Sequence, residues 1–128
     1  MAESGLLHAE LSESIIGAAI EVHRVLGPGL LESTYEHCLA HEIAARGLSV
    51  VRQPELPVVY KGQRIGCGYR IDLIVEGRIV IELKSIERLL PIHEAQLLTY
   101  LRLSGLHVGL LINFTVQLLK TGILRRAL

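Results

Sequence analysis

The chain has 128 residues, half of them hydrophobic and a fifth charged, which suits one compact α/β domain over residues 1–128 and excludes a disordered or fibrous chain. Thirteen basic residues balance thirteen acidic ones, so tight binding of duplex DNA by this chain alone is not expected. With four tyrosines, one phenylalanine and no tryptophan, the composition also argues against an aromatic platform that stacks single-stranded bases.

The beginning of the chain and its two cysteines indicate where in the cell the protein is expected. Residues 1–10 lack the basic start and the long apolar run of a signal peptide. No apolar run is long enough to span a bilayer, and a chain this rich in aliphatic residues has no need of a disulfide between Cys38 and Cys67. We therefore expect a cytoplasmic protein without a membrane segment.

Two helices are predicted in the first third of the chain, Ser12–Leu26 and Leu31–Arg46. Ser12 or Ser14 would cap the first helix, and Gly27-Pro28-Gly29 would end it because Pro28 cannot continue a helical hydrogen-bond ladder. Gly47 would end the second helix. Apolar residues recur every fourth position in the second helix and are expected to face the core: Tyr35, Leu39 and Ile43.

Extended segments dominate the middle of the chain. Four strands are predicted: Leu48–Gln53, Val58–Lys61, Arg64–Val75 and Arg78–Lys84. Pro54 and Pro57 are expected to interrupt the first two strands, and Glu76-Gly77 is a turn signal between the last two.

A third helix and a buried strand follow, at Ile92–Ser104 and Val108–Phe114, and Leu118–Leu128 is expected to add a short strand or an edge segment. The helical crossover from Lys84 to Val108 should place the strands that it joins parallel to each other. The predicted fold is a mixed β-sheet flanked by helices.

Two charged residues lie in the otherwise apolar strand that ends at Lys84. Because side chains alternate between the faces of a strand, Glu82 and Lys84 share one face, opposite to Ile81 and Leu83. Asp72 occupies a similar position in the preceding strand. A two-residue loop at Glu76-Gly77 would put Asp72 and Glu82 on opposite faces, whereas a three-residue loop with Gly77 at positive φ pairs them directly. We predict the three-residue loop.

Two neighbouring carboxylates need a proton or a cation to coexist at neutral pH, and hard oxygen ligands favour Mg²⁺ or Mn²⁺. The backbone carbonyl of Leu83 is placed to add another oxygen, and Lys84 would stand beside the metal, where its charge suits phosphodiester hydrolysis. The alternative is a cross-strand salt bridge between Lys84 and Glu82, with Asp72 solvated. Other basic residues would form a modest phosphate-facing strip or are simply solvated: Arg52, Lys61, Arg64, Arg70 and Arg88.

These residues resemble a known signature. Asp72, nine intervening residues and then Glu82-Leu83-Lys84 are similar to the motif of the PD-(D/E)XK nuclease superfamily, with Ile71 in place of the motif's proline. The segment Gly29–Tyr35 resembles the motif of the GxxExxY family within that superfamily, and the segments Leu111–Phe114 and Leu119–Ile123 resemble that family's ending. The resemblance covers nearly the whole chain.

The resemblance implies the restriction-endonuclease-like αβββαβ core and roles for particular residues. Asp72 and Glu82 would be metal ligands, together with Glu32 on the second helix, and Lys84 would be the catalytic lysine. Gln96 and Tyr100 resemble the Gln-x-x-x-Tyr element of exonuclease-like members; they lie one helical turn apart and so share a face. In the alternative interpretation Tyr100 is a packed core residue bordered by Gln96, and Glu32 only stabilises a helix N-terminus.

The function predicted from the sequence is that of a metal-dependent nuclease-like protein that hydrolyses nucleic-acid phosphodiester bonds with Mg²⁺ or Mn²⁺. The alternative is a non-catalytic interaction module that keeps the nuclease fold. Zero net charge and small size favour weak binding of DNA or RNA by the chain alone, with self-assembly or a protein partner supplying the rest.

Overall fold

A computed structural model describes residues 6–128 of the chain. Its α-helices are α1 (Ala9–Leu26), α2 (Glu32–Ala45) and α3 (Pro91–Ser104), and a short 3-10 helix covers Leu119–Gly122. Its strands are β1 (Val50–Arg52), β2 (Glu55–Tyr60), β3 (Gln63–Arg70), β4 (Leu73–Val75), β5 (Ile79–Lys84), β6 (Val108–Asn113) and β7 (Ile123–Ala127).

The centre of the fold is a five-stranded sheet in the order β1-β4-β5-β6-β7. Strands β5 and β6 run parallel, as predicted for strands joined through α3, and the other neighbouring pairs run antiparallel. The predicted fold class, a mixed sheet flanked by helices, is therefore confirmed.

Side chains along β5 alternate between two hydrophobic cores, one on each face of the five-stranded sheet. Ile79, Ile81 and Leu83 pack with α1 and α2 in the larger core, which also buries the predicted helix residues Tyr35, Leu39 and Ile43. Val80 faces the opposite way, into a smaller core with Leu97 and Leu101 of α3. Glu82 follows Val80 at the same period and so lies on the α3 side of the sheet.

The predicted strand Arg64–Val75 is wrong as a single element. The chain forms β3 and β4, which belong to two different sheets, because β2 and β3 pair only with each other. Arg52 pairs with Leu73 and Glu55 pairs with Arg70, so one register continues through both pairs of strands. These strands form one long hairpin that bends at Gln53, where φ is 55°.

Smaller corrections concern element ends. Helix α1 begins at Ala9, after His8, so neither Ser12 nor Ser14 caps it, and Ser12 is buried within the helix. Pro57 lies inside β2 rather than ending it, since a two-stranded sheet has only edge strands and the register shifts after Pro57. The tail forms the 3-10 helix and the edge strand β7, as the edge-segment prediction allowed.

Candidate active site

The turn between β4 and β5 decides whether Asp72 and Glu82 share a face. Leu73 pairs with Ile81 and Val75 pairs with Ile79, which leaves a three-residue connection, 76–78. Gly77 has φ of 63°, a left-handed conformation that glycine adopts without a steric penalty. Glu76, the first residue of the connection, is also left-handed, with φ of 55°. The same register places Asp72 opposite Glu82, so the predicted loop length is confirmed.

Hydrogen bonds hold the two carboxylates against each other's strand. The Asp72 N–H donates to Glu82 Oε2 at 2.9 Å, and the Leu83 N–H donates to Asp72 Oδ2 at 2.8 Å. Gln53 Nε2 donates to Asp72 Oδ1 at 3.3 Å. Each acid is therefore oriented by a backbone amide of the neighbouring segment.

The acid pair is buried enough to change its protonation. Glu82 is 7% exposed, and burial, followed by the negative charge of Asp72, raises the pKa of Glu82 from 4.5 to about 8. Burial also raises the pKa of Asp72. At neutral pH without a cation, the pair therefore holds a proton on Glu82.

Lys84 and the carbonyl of Leu83 adjoin the pair. Lys84 lies on the Glu82 face, is half-buried, and forms no ion pair with any residue in 6–128, so the salt bridge considered above is absent from that range. The N–H and C=O of one strand residue point to the same side. The Leu83 N–H reaches Asp72, so the Leu83 carbonyl also points toward the Asp72 side of β5.

Glu32 reaches the edge of this site from α2. Its Oε2 accepts a hydrogen bond from the Ser85 N–H at 3.3 Å, just after β5 ends, and its charge contributes to the raised pKa of both Asp72 and Glu82. Among residues 6–66 and 68–128, no three His, Cys, Asp or Glu side chains are grouped closely enough to hold a metal ion. The structure thus brings two of the three predicted acidic ligands together and leaves Glu32 at the margin.

Tyr100 approaches the acid pair from α3. Burial raises its pKa, and the charges of Glu82 and Asp72 raise it further, so the phenol stays protonated at neutral pH. Tyr100 is half-buried and Gln96, one turn earlier, is exposed. Tyr100 packs against the smaller core, in agreement with the packed-core interpretation, and its catalytic role stays a prediction.

A comparison with known protein families gives a match over most of the chain. A family model described as the PD-(D/E)XK nuclease superfamily matches residues 9–126. The chain belongs to this superfamily. No curated protein and no solved structure shows a significant match to the chain. Nucleases of the PD-(D/E)XK superfamily generally use divalent metal ions, and membership indicates a nuclease-like protein that binds nucleic acid. No helix within residues 6–128 is long and apolar enough to cross a membrane.

Two polar residues that support the PD-(D/E)XK acid pair were missed in the sequence. Gln53, which contacts Asp72, also donates to Glu36 Oε1 at 2.6 Å, and Arg52 lies 3.0 Å from Glu36 Oε2. Glu36 is buried and adds to the charge that raises the pKa of Asp72. Glu36 lies four residues after Glu32 on the same helical face, so the sequence could have indicated that Glu36 lies near the acid pair. Gln53 offered none, because its role depends on the bend in the hairpin.

The Gly29–Tyr35 motif has a local structural explanation. Gly29 has φ of 94°, which a residue with a side chain rarely adopts. The buried Tyr35 hydroxyl donates to the Gly27 carbonyl and accepts from the Leu30 N–H, so it fixes the α1–α2 connection. Ser85 Oγ donates to the Leu30 carbonyl, which ties this connection to the end of β5. The motif thus positions Glu32 beside the acid pair.

The loop after Lys84 depends on Asn113 at the end of β6. Asn113 is 1% exposed; its Oδ1 accepts from the Ile86 N–H at 3.1 Å and its Nδ2 donates to the Ile86 carbonyl at 2.9 Å. Leucine at this position leaves both backbone groups of Ile86 without these partners. An unpaired buried group costs about 1–3 kcal/mol, and Ile86 is half-buried, so we expect Asn113→Leu to lower the free energy of urea unfolding by roughly 2 kcal/mol.

Thr121→Val is a matched control for this prediction, because Thr121 Oγ1 also donates to a backbone carbonyl but at an exposed site. We expect a loss within about 0.5 kcal/mol for this surface substitution. Equal losses in the two variants would show that the Asn113 hydrogen bonds do not stabilise the loop.

Proposed function

We propose that this protein is a metal-dependent nuclease that hydrolyses phosphodiester bonds in DNA or RNA. The observation that carries the proposal is the adjacency of the Asp72 and Glu82 carboxylates at a buried position. Burial, followed by the charge of Asp72, raises the pKa of Glu82 to about 8. A pair that must hold a proton in the absence of metal is suited to exchange that proton for a divalent cation. Membership of a nuclease superfamily supports phosphodiester hydrolysis as the reaction.

The donor atoms fit Mg²⁺ or Mn²⁺, since both ions prefer carboxylate and carbonyl oxygens. Asp72, Glu82 and the carbonyl of Leu83 would hold the ion, and Glu32 would contribute from the margin, through a water or after a rotamer change. The bound ion supplies Lewis-acid stabilisation of the phosphate and lowers the pKa of a water molecule.

The remaining roles belong to side chains around the acid pair. Lys84 supplies a positive charge on the Glu82 face that stabilises the negative charge gathering on the phosphate oxygens. Tyr100, which stays protonated at neutral pH, donates a hydrogen bond to a phosphate oxygen. Gln96, one turn away on α3, orients Lys84 or the attacking water.

We also propose that the chain is a member of the GxxExxY family and that residues 1–128 form a single domain. The contacts of Gly29, Glu32 and Tyr35 support the first proposal, because each motif residue contributes to placing the acid next to β5. The match over residues 9–126 and the sheet shared by both cores support the second.

A protein partner or a second copy of the chain would supplement the small substrate surface. Val25 is 63% exposed and Leu31 is 74% exposed, and apolar side chains of this kind are suited to a protein interface. The cytoplasmic location expected from the sequence stands as part of the same proposal.

The test is cleavage of end-labelled single- and double-stranded DNA and RNA by protein first stripped with EDTA. We expect cleavage after addition of Mg²⁺ or Mn²⁺, no cleavage in EDTA, and a metal-dependent rise in Tm. Asp72→Asn should remove both effects, whereas Glu10→Gln, which changes an exposed carboxylate on α1, should remove neither. Metal binding without cleavage of any substrate would favour the non-catalytic module.

A further inference from the structure

The β2–β3 hairpin extends away from the five-stranded sheet. At its base Leu56 is buried in the smaller core, against α3. Toward its tip the side chains become exposed: Val59 is 61% and Tyr60 is 60% exposed. The eight residues of β3 span about 25 Å at roughly 3.3 Å per residue, and the base of the hairpin meets the acid pair at Asp72.

Three of the four tyrosines lie on this hairpin and the neighbouring helix, although the overall aromatic content is low. Leu56 pairs with Tyr69, and Tyr60 lies four residues after Leu56 on β2. The register shift after Pro57 leaves two residues of β3 unpaired but keeps every residue of β2 paired, so alternation along β2 places Tyr60 on the face of Leu56 and Tyr69. The Tyr69 ring lies 5.6 Å from the Tyr100 ring, centroid to centroid. The row of tyrosines therefore runs from the hairpin tip toward the acid pair.

Positive charge accompanies the exposed tyrosines. The Lys61 ammonium lies 5.4 Å from the centre of the Tyr60 ring. Arg64 is exposed on β3, where it pairs with Val59 on the opposite face of the hairpin. Neither cation forms an ion pair with another residue in the part of the chain that the structure describes, whereas Arg70 at the base lies 3.7 Å from Glu55. The tip therefore carries uncompensated positive charge on a protein with no net charge.

We propose that the tyrosine face of the hairpin binds single-stranded nucleic acid and directs it to Asp72 and Glu82. Tyr60 and Tyr69 stack on unpaired bases, and Lys61 contacts a phosphate. Exposed rings favour single strands because the base faces of a duplex are already stacked. The positive charge beside Tyr60 favours a polyanion over an apolar protein surface. This inference rests on the proposed nuclease function and specifies its substrate.

Binding is measured separately from cleavage, by fluorescence anisotropy of labelled 12-nucleotide dT and U strands in EDTA. Loss of one stacked base is worth about 1–3 kcal/mol, so Tyr60→Ala and Tyr69→Ala should each raise Kd by about tenfold, and Tyr60→Phe should not. Lys61→Gln should reduce the slope of log Kd against log salt by about 1. Val59→Ala, an exposed change on the opposite face of β2, is the matched control.

Wild-type binding in both tyrosine variants, or tighter binding of a 12-base-pair duplex than of either strand, would overturn the inference. Light scattering that shows Tyr60→Ala converting a dimer into a monomer would also overturn it, since the face would then bind a second copy. If the tyrosines are required for strand binding but no metal supports cleavage, the inference stands and the proposed nuclease function fails.

Discussion

Lys84→Ala should lower the rate constant for phosphodiester cleavage by about 10²–10³-fold, because removal of one group that stabilises transition-state charge has about this effect in enzymes. Lys84 is half-buried on the Glu82 face and has no acidic partner within residues 6–128 to occupy its charge. The measurement is single-turnover cleavage at saturating Mg²⁺ or Mn²⁺. The KM for the oligonucleotide should change little if Lys84 acts mainly in the transition state.

Two variants separate this role from simple loss of charge. Arg88→Ala removes another positive charge close in sequence, and we expect cleavage within about threefold of wild type if that charge is only solvated. Asp72→Asn, in contrast, should abolish the metal-dependent rise in Tm, which Lys84→Ala should preserve. A Lys84→Ala variant that cleaves at the wild-type rate would exclude Lys84 from the reaction.

The metal-free protein should lose stability as the pH rises from about 4.5 to about 8. Folding raises the pKa of Glu82 from 4.5 to about 8, mainly through burial and then through the charge of Asp72, so the native state binds a proton that the unfolded chain has released. Stability from this proton is complete below pH 4.5 and is lost as the pH passes through the folded pKa. At about 1.4 kcal/mol per pKa unit the loss is on the order of a few kcal/mol, measured by urea unfolding in EDTA.

Glu82→Gln is the matched variant for this pH dependence, because the amide keeps an oxygen that can accept from the Asp72 N–H but cannot ionise. We expect a flatter pH profile in this variant. Addition of Mg²⁺ should restore stability to the wild type most strongly near pH 8, where the cation replaces the proton. Identical profiles for wild type and Glu82→Gln would contradict the raised pKa of Glu82.

The register of the acid pair could be predicted because it depends on local chemistry. A glycine in the turn, alternation along β5 and the length of one loop together determine whether Asp72 and Glu82 share a face. The parallel pairing of β5 with β6 was also predictable, since a helical crossover joins them.

The surroundings of the pair were harder to predict because they depend on tertiary structure. Gln53 contacts Asp72 only because the long hairpin bends there, and no periodicity or turn motif marks a bend between two paired segments. The composition likewise argued against a base-stacking platform, since a count of aromatic residues does not reveal that Tyr69 and Tyr100 are in contact or that Tyr60 shares the face of Tyr69.

The bend places Asp72 between the two sheets, where it is hydrogen-bonded on both sides. Its carbonyl accepts from the Gln53 N–H at 2.9 Å on the hairpin side, while its N–H and carboxylate engage Glu82 and Leu83 on the other. The neighbouring Ile71 N–H donates to the Pro54 carbonyl at 3.1 Å. The hairpin therefore cannot pivot at its base without displacing the Asp72 carboxylate, so any force applied at the tip is transmitted to the acid pair.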